Sequence, residues 1–154
     1  MKILRIDDRL IHGQVIVGWV KKLGLDAIVL LHSDLDADII ELYRSMLEQE
    51  VCFLSADLRK DSLPVKQNSI YVSGSVNELF ENRDQLKNAE FDLFNFGGLR
   101  TKESKIKLLD FIYMDKQEMQ NSLELASFLN VRSNAQELPE SENFNIIKII
   151  KEHL

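Results

Sequence analysis

A single cysteine, Cys52, in 154 residues excludes an internal disulfide. It lies in an apolar run, which reads as buried packing, and a cytosolic setting fits such sparse cysteine. The three histidines are far apart in the chain, and one thiol offers no ligand spacing, so no metal site is expected. Long apolar runs are also missing. Residues 1–14 carry Lys2, Arg5, Asp7, Asp8 and Arg9, so no secretory signal is expected there, and no stretch is long enough to span a bilayer. Positive charge is in deficit. A formal net charge of −6 argues against a broad basic surface for nucleic acid, while leaving room for a small cationic pocket. Neither a Walker A loop nor a G-x-G-x-x-G fingerprint occurs, which lowers the case for nucleotide binding. No repeat, low-complexity tract or linker interrupts the chain, so one domain over 1–154 is expected.

What is present is an alternation of strand-like and helix-like segments. Lys2–Ile6 reads as a strand, and Gln14–Leu23 as a helix burying Ile16, Trp19, Val20 and Leu23, ended by Gly24. Asp26–His32 is a continuous apolar run, the pattern of a strand covered on both faces. A second helix should bury Ile39, Leu42, Tyr43, Met46 and Leu47. Val51–Ser55 and Ser69–Ser73 read as strands, with a short helix expected within Asp57–Lys66. Val76–Leu86 reads as one helix, and Phe91–Phe96 as a strand closed by Gly97-Gly98. Leu108–Met114 reads as a strand. Asp115 and Glu118 form a capping-box pattern for a helix reaching Leu129. Val131–Leu138 is a weak edge strand, and Asn143–His153 a last amphipathic helix. The implied fold is a three-layer α/β/α domain with a mainly parallel central sheet of six to seven strands.

In such a sheet, ligands bind beyond the carboxyl ends of the strands. The turns Asp7–Gly13, His32–Asp34, Ser73-Gly74-Ser75 and Gly97–Arg100 should all emerge there. His12 is the candidate nucleophile. It precedes a helix whose first N–H groups, from Gly13, Gln14 and Val15, lack intrahelical partners and favour an anion. Arg9 adds a planar two-pronged donor. One of Asp7 and Asp8 should accept a hydrogen bond from the His12 ring or lock Arg9, while the other caps backbone N–H groups. Asp8 is grouped with His12 and Arg9 as the expected catalytic trio, although spacing does not separate it from Asp7. Gly13, Gln14, Ser73, Gly74, Gly97 and Gly98 are candidate phosphate-binding positions, with Arg100 and Lys102 just behind the last two. His32 reads as a polar rim residue, and His153 as incidental.

The run Arg5-Ile6-Asp7-Asp8-Arg9-Leu10-Ile11-His12-Gly13-Gln14-Val15, followed by Trp19, resembles the active-site region of the IIB component of the mannose/fructose/sorbose family of bacterial sugar phosphotransferase systems. Asn95-Phe96-Gly97-Gly98-Leu99 resembles that family's Asn-Val-Gly-Gly-Met segment. The resemblance implies a cytoplasmic phosphocarrier needing no dissociable cofactor. His12 would be phosphorylated on Nδ1 by a IIA component, with Arg9 in the same loop. The phosphoryl group would pass to a sugar held by membrane IIC/IID components, membrane association arising only through those partners. The alternative is a diverged IIB-like domain whose phosphohistidine is regulatory. Two departures bear on this choice: Glu41, with Arg44 nearby, stands where the family carries a basic residue, and Val72-Ser73-Gly74-Ser75-Val76 replaces its Phe-x-Asn-Pro turn. The sugar and the oligomeric state stay open.

Overall fold

A computed structural model describes residues 1–154. Its centre is a six-stranded, wholly parallel sheet in the order β3-β2-β4-β1-β5-β8. The strands are β1 (Lys2–Asp7), β2 (Ala27–His32), β3 (Cys52–Asp57), β4 (Ser69–Ser73), β5 (Leu93–Gly98) and β8 (Ser133–Ala135). β1, β2, β4 and β5 are buried along their whole length, which explains the apolar run of β2, while β1 also buries Lys2, Arg5 and Asp7.

Helices cover both faces. A π-helix (Gln14–Lys21) and α1 (Ala37–Ser45) lie over the core built from Ile3, Ile28, Leu30, Ile70 and Val72. On the other face, α2 (Val76–Glu81), α3 (Arg83–Leu86), α4 (Lys116–Leu129) and α5 (Ile146–His153) enclose the core of Leu4, Ile6, Tyr71, Phe94 and Phe96. This is the expected three-layer α/β/α arrangement. The chain leaves β1 toward one face and β4 toward the other, although the two strands are neighbours. Such a reversal opens a crevice at the carboxyl ends of the two strands.

Several elements differ from the sequence reading. The first helix is wound as a π-helix, with more residues per turn than an α-helix. Its buried residues are Val15, Trp19 and Val20, while Leu23 is exposed and Ile16 half-buried. The α1 segment turns Ile40, Tyr43 and Leu47 inward and leaves Ile39, Leu42 and Met46 exposed, so only two of the five expected residues, Tyr43 and Leu47, face the core. Val76–Leu86 is broken at Asn82, whose side chain donates to Glu78 O and whose backbone leaves the helical region. No helix forms within Asp57–Lys66. The Asp57 carboxylate instead accepts the Arg59 N–H in a tight turn, and the chain runs on without regular structure to β4. Leu108–Met114 is part of a hairpin, β6 (Ile106–Leu109) and β7 (Ile112–Met114), turning at Asp110-Phe111. Gly97 and Gly98 belong to β5 rather than to a turn after it. Cys52 is exposed, because it opens the outermost strand.

Other readings match closely. β4 covers Ser69–Ser73, and α4 ends at Leu129 with the Asp115–Glu118 capping box closed in both directions. No helix is long and apolar enough to cross a membrane.

Candidate functional site

Period-two alternation in β1 puts Ile3, Arg5 and Asp7 on one face. The first packs into the core, while the other two form a buried ion pair at 2.9 Å with no exposed side-chain surface. Arg5 is held through both terminal nitrogens, while its buried Nε has no hydrogen-bond partner. Nη1 donates to Asn95 Oδ1 (2.7 Å) and Gln136 O (3.3 Å), and Nη2 donates to Asp7 Oδ2 and Glu137 O. Its guanidinium also stacks 5.2 Å from the Trp19 ring centre. Burial pulls its pKa down to about 10, against the opposing pull of Asp7.

Asp7 is the hub. It accepts the His12 Nε2 proton at 2.9 Å on the same oxygen that meets Arg5. Its other oxygen accepts the Arg9 backbone N–H (3.1 Å) and the Arg9 Nε (3.3 Å). Burial opposes ionisation of this carboxyl, but the hydrogen bond from His12 and the nearby guanidinium groups outweigh it and hold its pKa well below the usual carboxylate range. Asp7, not Asp8, therefore braces the imidazole. Asp8 is turned away by its backbone N–H bond to Gly98 O, and its carboxylate accepts the Arg100 N–H at 2.6 Å.

The remaining candidates divide into two groups. Arg9, His12 and Gln14 are brought together: Arg9 Nη2 donates to Gln14 Oε1 (2.6 Å), and the Gln14 N–H donates to His12 Nδ1 (3.3 Å). Gly13 caps the π-helix with ordinary right-handed backbone angles and nothing crowding it. By contrast, no hydrogen bond links Ser73, Gly74, Gly97 or Gly98 to His12 or Arg9. The hydroxyl of Ser73 is spent on the backbone of Ser75. Gly74 walls a neighbouring cavity of about 240 Å³ with Asp8, Leu10, His32 and Glu78. His32 is buried rather than at the rim, its Nδ1 accepting the Leu35 N–H. Gly97 and Gly98 make room for side chains: a Cβ on Gly97 would overlap the Arg5 guanidinium, and one on Gly98 that of Arg100. Of the two departures, Glu41 is engaged by Arg44 (3.0 Å), which also donates to Phe53 O and lies over the Phe53 ring.

Arg100, expected just behind Gly97 and Gly98, completes the site with Arg5, Trp19 and Glu137, and these last three were not among the candidate site residues. The signal for Arg5 was the alternation in β1, which places a cation on an apolar strand face two residues from Asp7. No group of His, Cys, Asp and Glu side chains is arranged to hold a metal ion.

The chemistry open to this arrangement follows from the tautomer. Nδ1 accepts an N–H, so the ring proton sits on Nε2, facing Asp7. Nδ1 keeps the lone pair at the start of a helix, beside a half-exposed arginine. A lone pair in that position is open to attack on an incoming anion, which the start of a helix favours.

The chain is similar to known proteins in sequence and in fold. Residues 1–53 match the family model of the PTS system sorbose subfamily IIB component. The sorbose-specific EIIB component of Klebsiella pneumoniae is 28% identical over 96% of this chain and 93% of that protein. In fold, the chain is similar to a solved protein of the phosphoenolpyruvate-dependent phosphotransferase system, with a TM-score of 0.81, 20% identity and full coverage of both chains. It is also similar to the IIBSor domain of the sorbose permease from Klebsiella pneumoniae, with a TM-score of 0.75, 23% identity, and 100% and 99% coverage. Over its whole length the chain shares the fold of that IIBSor domain. Its first third carries the sorbose-subfamily IIB pattern.

Proposed function

We propose that this protein carries a phosphoryl group on His12 Nδ1 between a phosphorylated IIA component and a sugar bound by membrane IIC/IID components. The observation that carries the reading is the 2.9 Å contact between His12 Nε2 and Asp7, which leaves the lone pair on Nδ1, met only by the Gln14 N–H at 3.3 Å. In the first step the Nδ1 lone pair attacks phosphorus. A new N–P bond forms as the P–N bond to the donor histidine breaks, and the donor ring recovers its electron pair. The Nε2 proton stays with His12, held by Asp7. In the second step a sugar hydroxyl attacks the same phosphorus and gives its proton to water, while the N–P bond breaks and its electron pair returns to neutral His12. Charge is spread over three equatorial oxygens in both steps, so the protein's task is positioning and neutralisation.

Arg9 is suited to that task because its side chain is 37% exposed and can turn from Asp7 toward the phosphoryl oxygens. The Gln14 N–H, released when Nδ1 becomes bonded to phosphorus, becomes available to one of them. Gly13 and Gln14 thus supply the helix end of the phosphate site. The reading places the protein in the cytoplasm, with membrane contact only through its partners.

Incubation with a phosphorylated IIA protein, followed by mass mapping of acid-labile phosphate, should locate the label on His12. His12→Ala should fold normally and take up none, and label retained on that variant would refute the assignment. Onward transfer to sugar in the presence of IIC/IID components separates a transport role from a regulatory one. Glu41 and its engaged partner Arg44 make that second measurement informative, because no free cation stands at that position.

A further inference from the structure

Arg100 occupies a seat built for it. It lies just past β5, where the missing Cβ of Gly98 leaves space for its guanidinium. Its backbone N–H is fixed on Asp8. Its Nη2 donates to Glu137 Oε1 at 3.0 Å and to Gly97 O at 3.5 Å. Glu137 is itself anchored, since its carbonyl accepts from Trp19 Nε1 (2.8 Å) and Arg5 Nη2 (3.2 Å). Yet Arg100 Nη1 is buried with no hydrogen-bond partner. It faces Asp7 Oδ1 at 3.6 Å and Asp8 Oδ1 at 3.9 Å, and that Asp8 oxygen is also unpartnered. Buried donors without partners are rare and unfavourable. A partner gained in another state of the protein would account for this one.

The other two guanidinium groups differ in freedom. Arg5 cannot leave Asp7 without abandoning Asn95 and two carbonyls. Arg9 can, and its departure would strip Asp7 Oδ1 of its side-chain donor. We propose that Arg100 is a reserve guanidinium for the phosphorylated state, closing on Asp7 Oδ1 when Arg9 turns to the phosphoryl group. This rests on the reading of His12 as the phosphorylated residue. A phosphoryl group adds on the order of two negative charges at neutral pH. Asp7 must stay ionised beside that charge to keep the Nε2 proton in place, and Arg100 supplies the compensation. Arg100 touches the brace and not the phosphorus, so it is a positioning residue. Glu137 holds it ready.

The test compares the full-length wild type with Arg100→Gln, Arg100→Lys and Glu137→Gln, each exposed to a phosphorylated IIA protein. Phosphoryl uptake and the hydrolytic lifetime of the phosphohistidine are both measured. Arg100→Gln should slow uptake and shorten the lifetime by about tenfold each, the size of one charge-assisted hydrogen bond. Arg100→Lys should recover most of both. Glu137→Gln, which loosens the hold on Arg100, should lengthen the lifetime. Wild-type uptake and lifetime in Arg100→Gln would overturn the proposal, as would a failure of lysine to restore them. If Arg100→Gln does not fold, Glu137→Gln decides, and a lifetime equal to wild type in that variant overturns it. A wild-type protein that takes up no acid-labile phosphate refutes the functional reading itself, and this proposal falls with it.

Discussion

Replacing Asp7 by asparagine tests the site and the fold together. The carboxylate stands among three guanidinium groups, 2.9 Å from Arg5, 3.3 Å from Arg9 and 3.6 Å from Arg100. Removing one member of a buried ion pair costs about 3–5 kcal/mol because the other charge is left uncompensated. Arg5 keeps Asn95 and two carbonyls, so the lower end, about 3 kcal/mol, is expected. A domain stable by about 5–15 kcal/mol survives that loss. The chemical effect should be larger. The guanidinium donors will draw the asparagine oxygen toward themselves and turn its NH2 group toward the imidazole. His12 must then accept at Nε2 and carry its proton on Nδ1, where the nucleophilic lone pair is needed. Wrong-tautomer substitutions of this kind cost on the order of 10⁴ in rate elsewhere.

Equilibrium urea unfolding and single-turnover phosphoryl uptake read the two effects separately. The pH dependence adds a third check. The Asp7 pKa is depressed in the folded state, so its stabilisation is fully present above the ordinary carboxylate range and is lost as pH falls through the folded-state value. The asparagine variant should lack that part of the acid-side loss. An Asn variant with wild-type urea midpoint and wild-type phosphoryl uptake would refute the reasoning.

Gly97→Ala and Gly98→Ala should part company. The first drives a methyl group into the immobile Arg5 and should destabilise by about 3 kcal/mol or more in urea unfolding. The second displaces the more exposed Arg100 side chain, and should cost less stability while reproducing the slow uptake of Arg100→Gln. Asp115→Ala removes the capping box of α4 and should lower stability by about 1 kcal/mol with phosphoryl uptake unchanged. Cys52 should react with a thiol reagent in the native protein at nearly the rate found in urea, since it is exposed on the outermost strand.

The layers of this fold were legible because its buried strands are written as apolar runs and its α4 boundary as a pair of complementary side chains. What escaped was set by contacts between distant segments. Gly97-Gly98 looks like a turn along the chain. Only the pairing of β5 beside β1 reveals that each glycine faces a guanidinium. Helical spacing placed Ile16 and Leu23 in the core beside Trp19 and Val20, but the π-helix buries Val15 with those two instead. The apolar run Leu108–Met114 concealed a hairpin because Phe111 at its tip is itself buried. At the candidate site, the segment from Arg9 to Gln14 was readable since helix-end chemistry is local. The choice between Asp7 and Asp8 was not, since the backbone bond from Asp8 to Gly98 decides which carboxylate turns inward.

The two carbonyls that grip Arg5 come from Gln136 and Glu137, in the stretch just past the short edge strand β8. The geometry around His12 is therefore underwritten by a marginal part of the fold, hardly longer than a single bridge. Fraying there would loosen Arg5, then Asp7, then the ring. Trimming or grafting at the far end of the chain should accordingly be felt at its beginning, and an inactive hybrid need not have been damaged anywhere near its nucleophile.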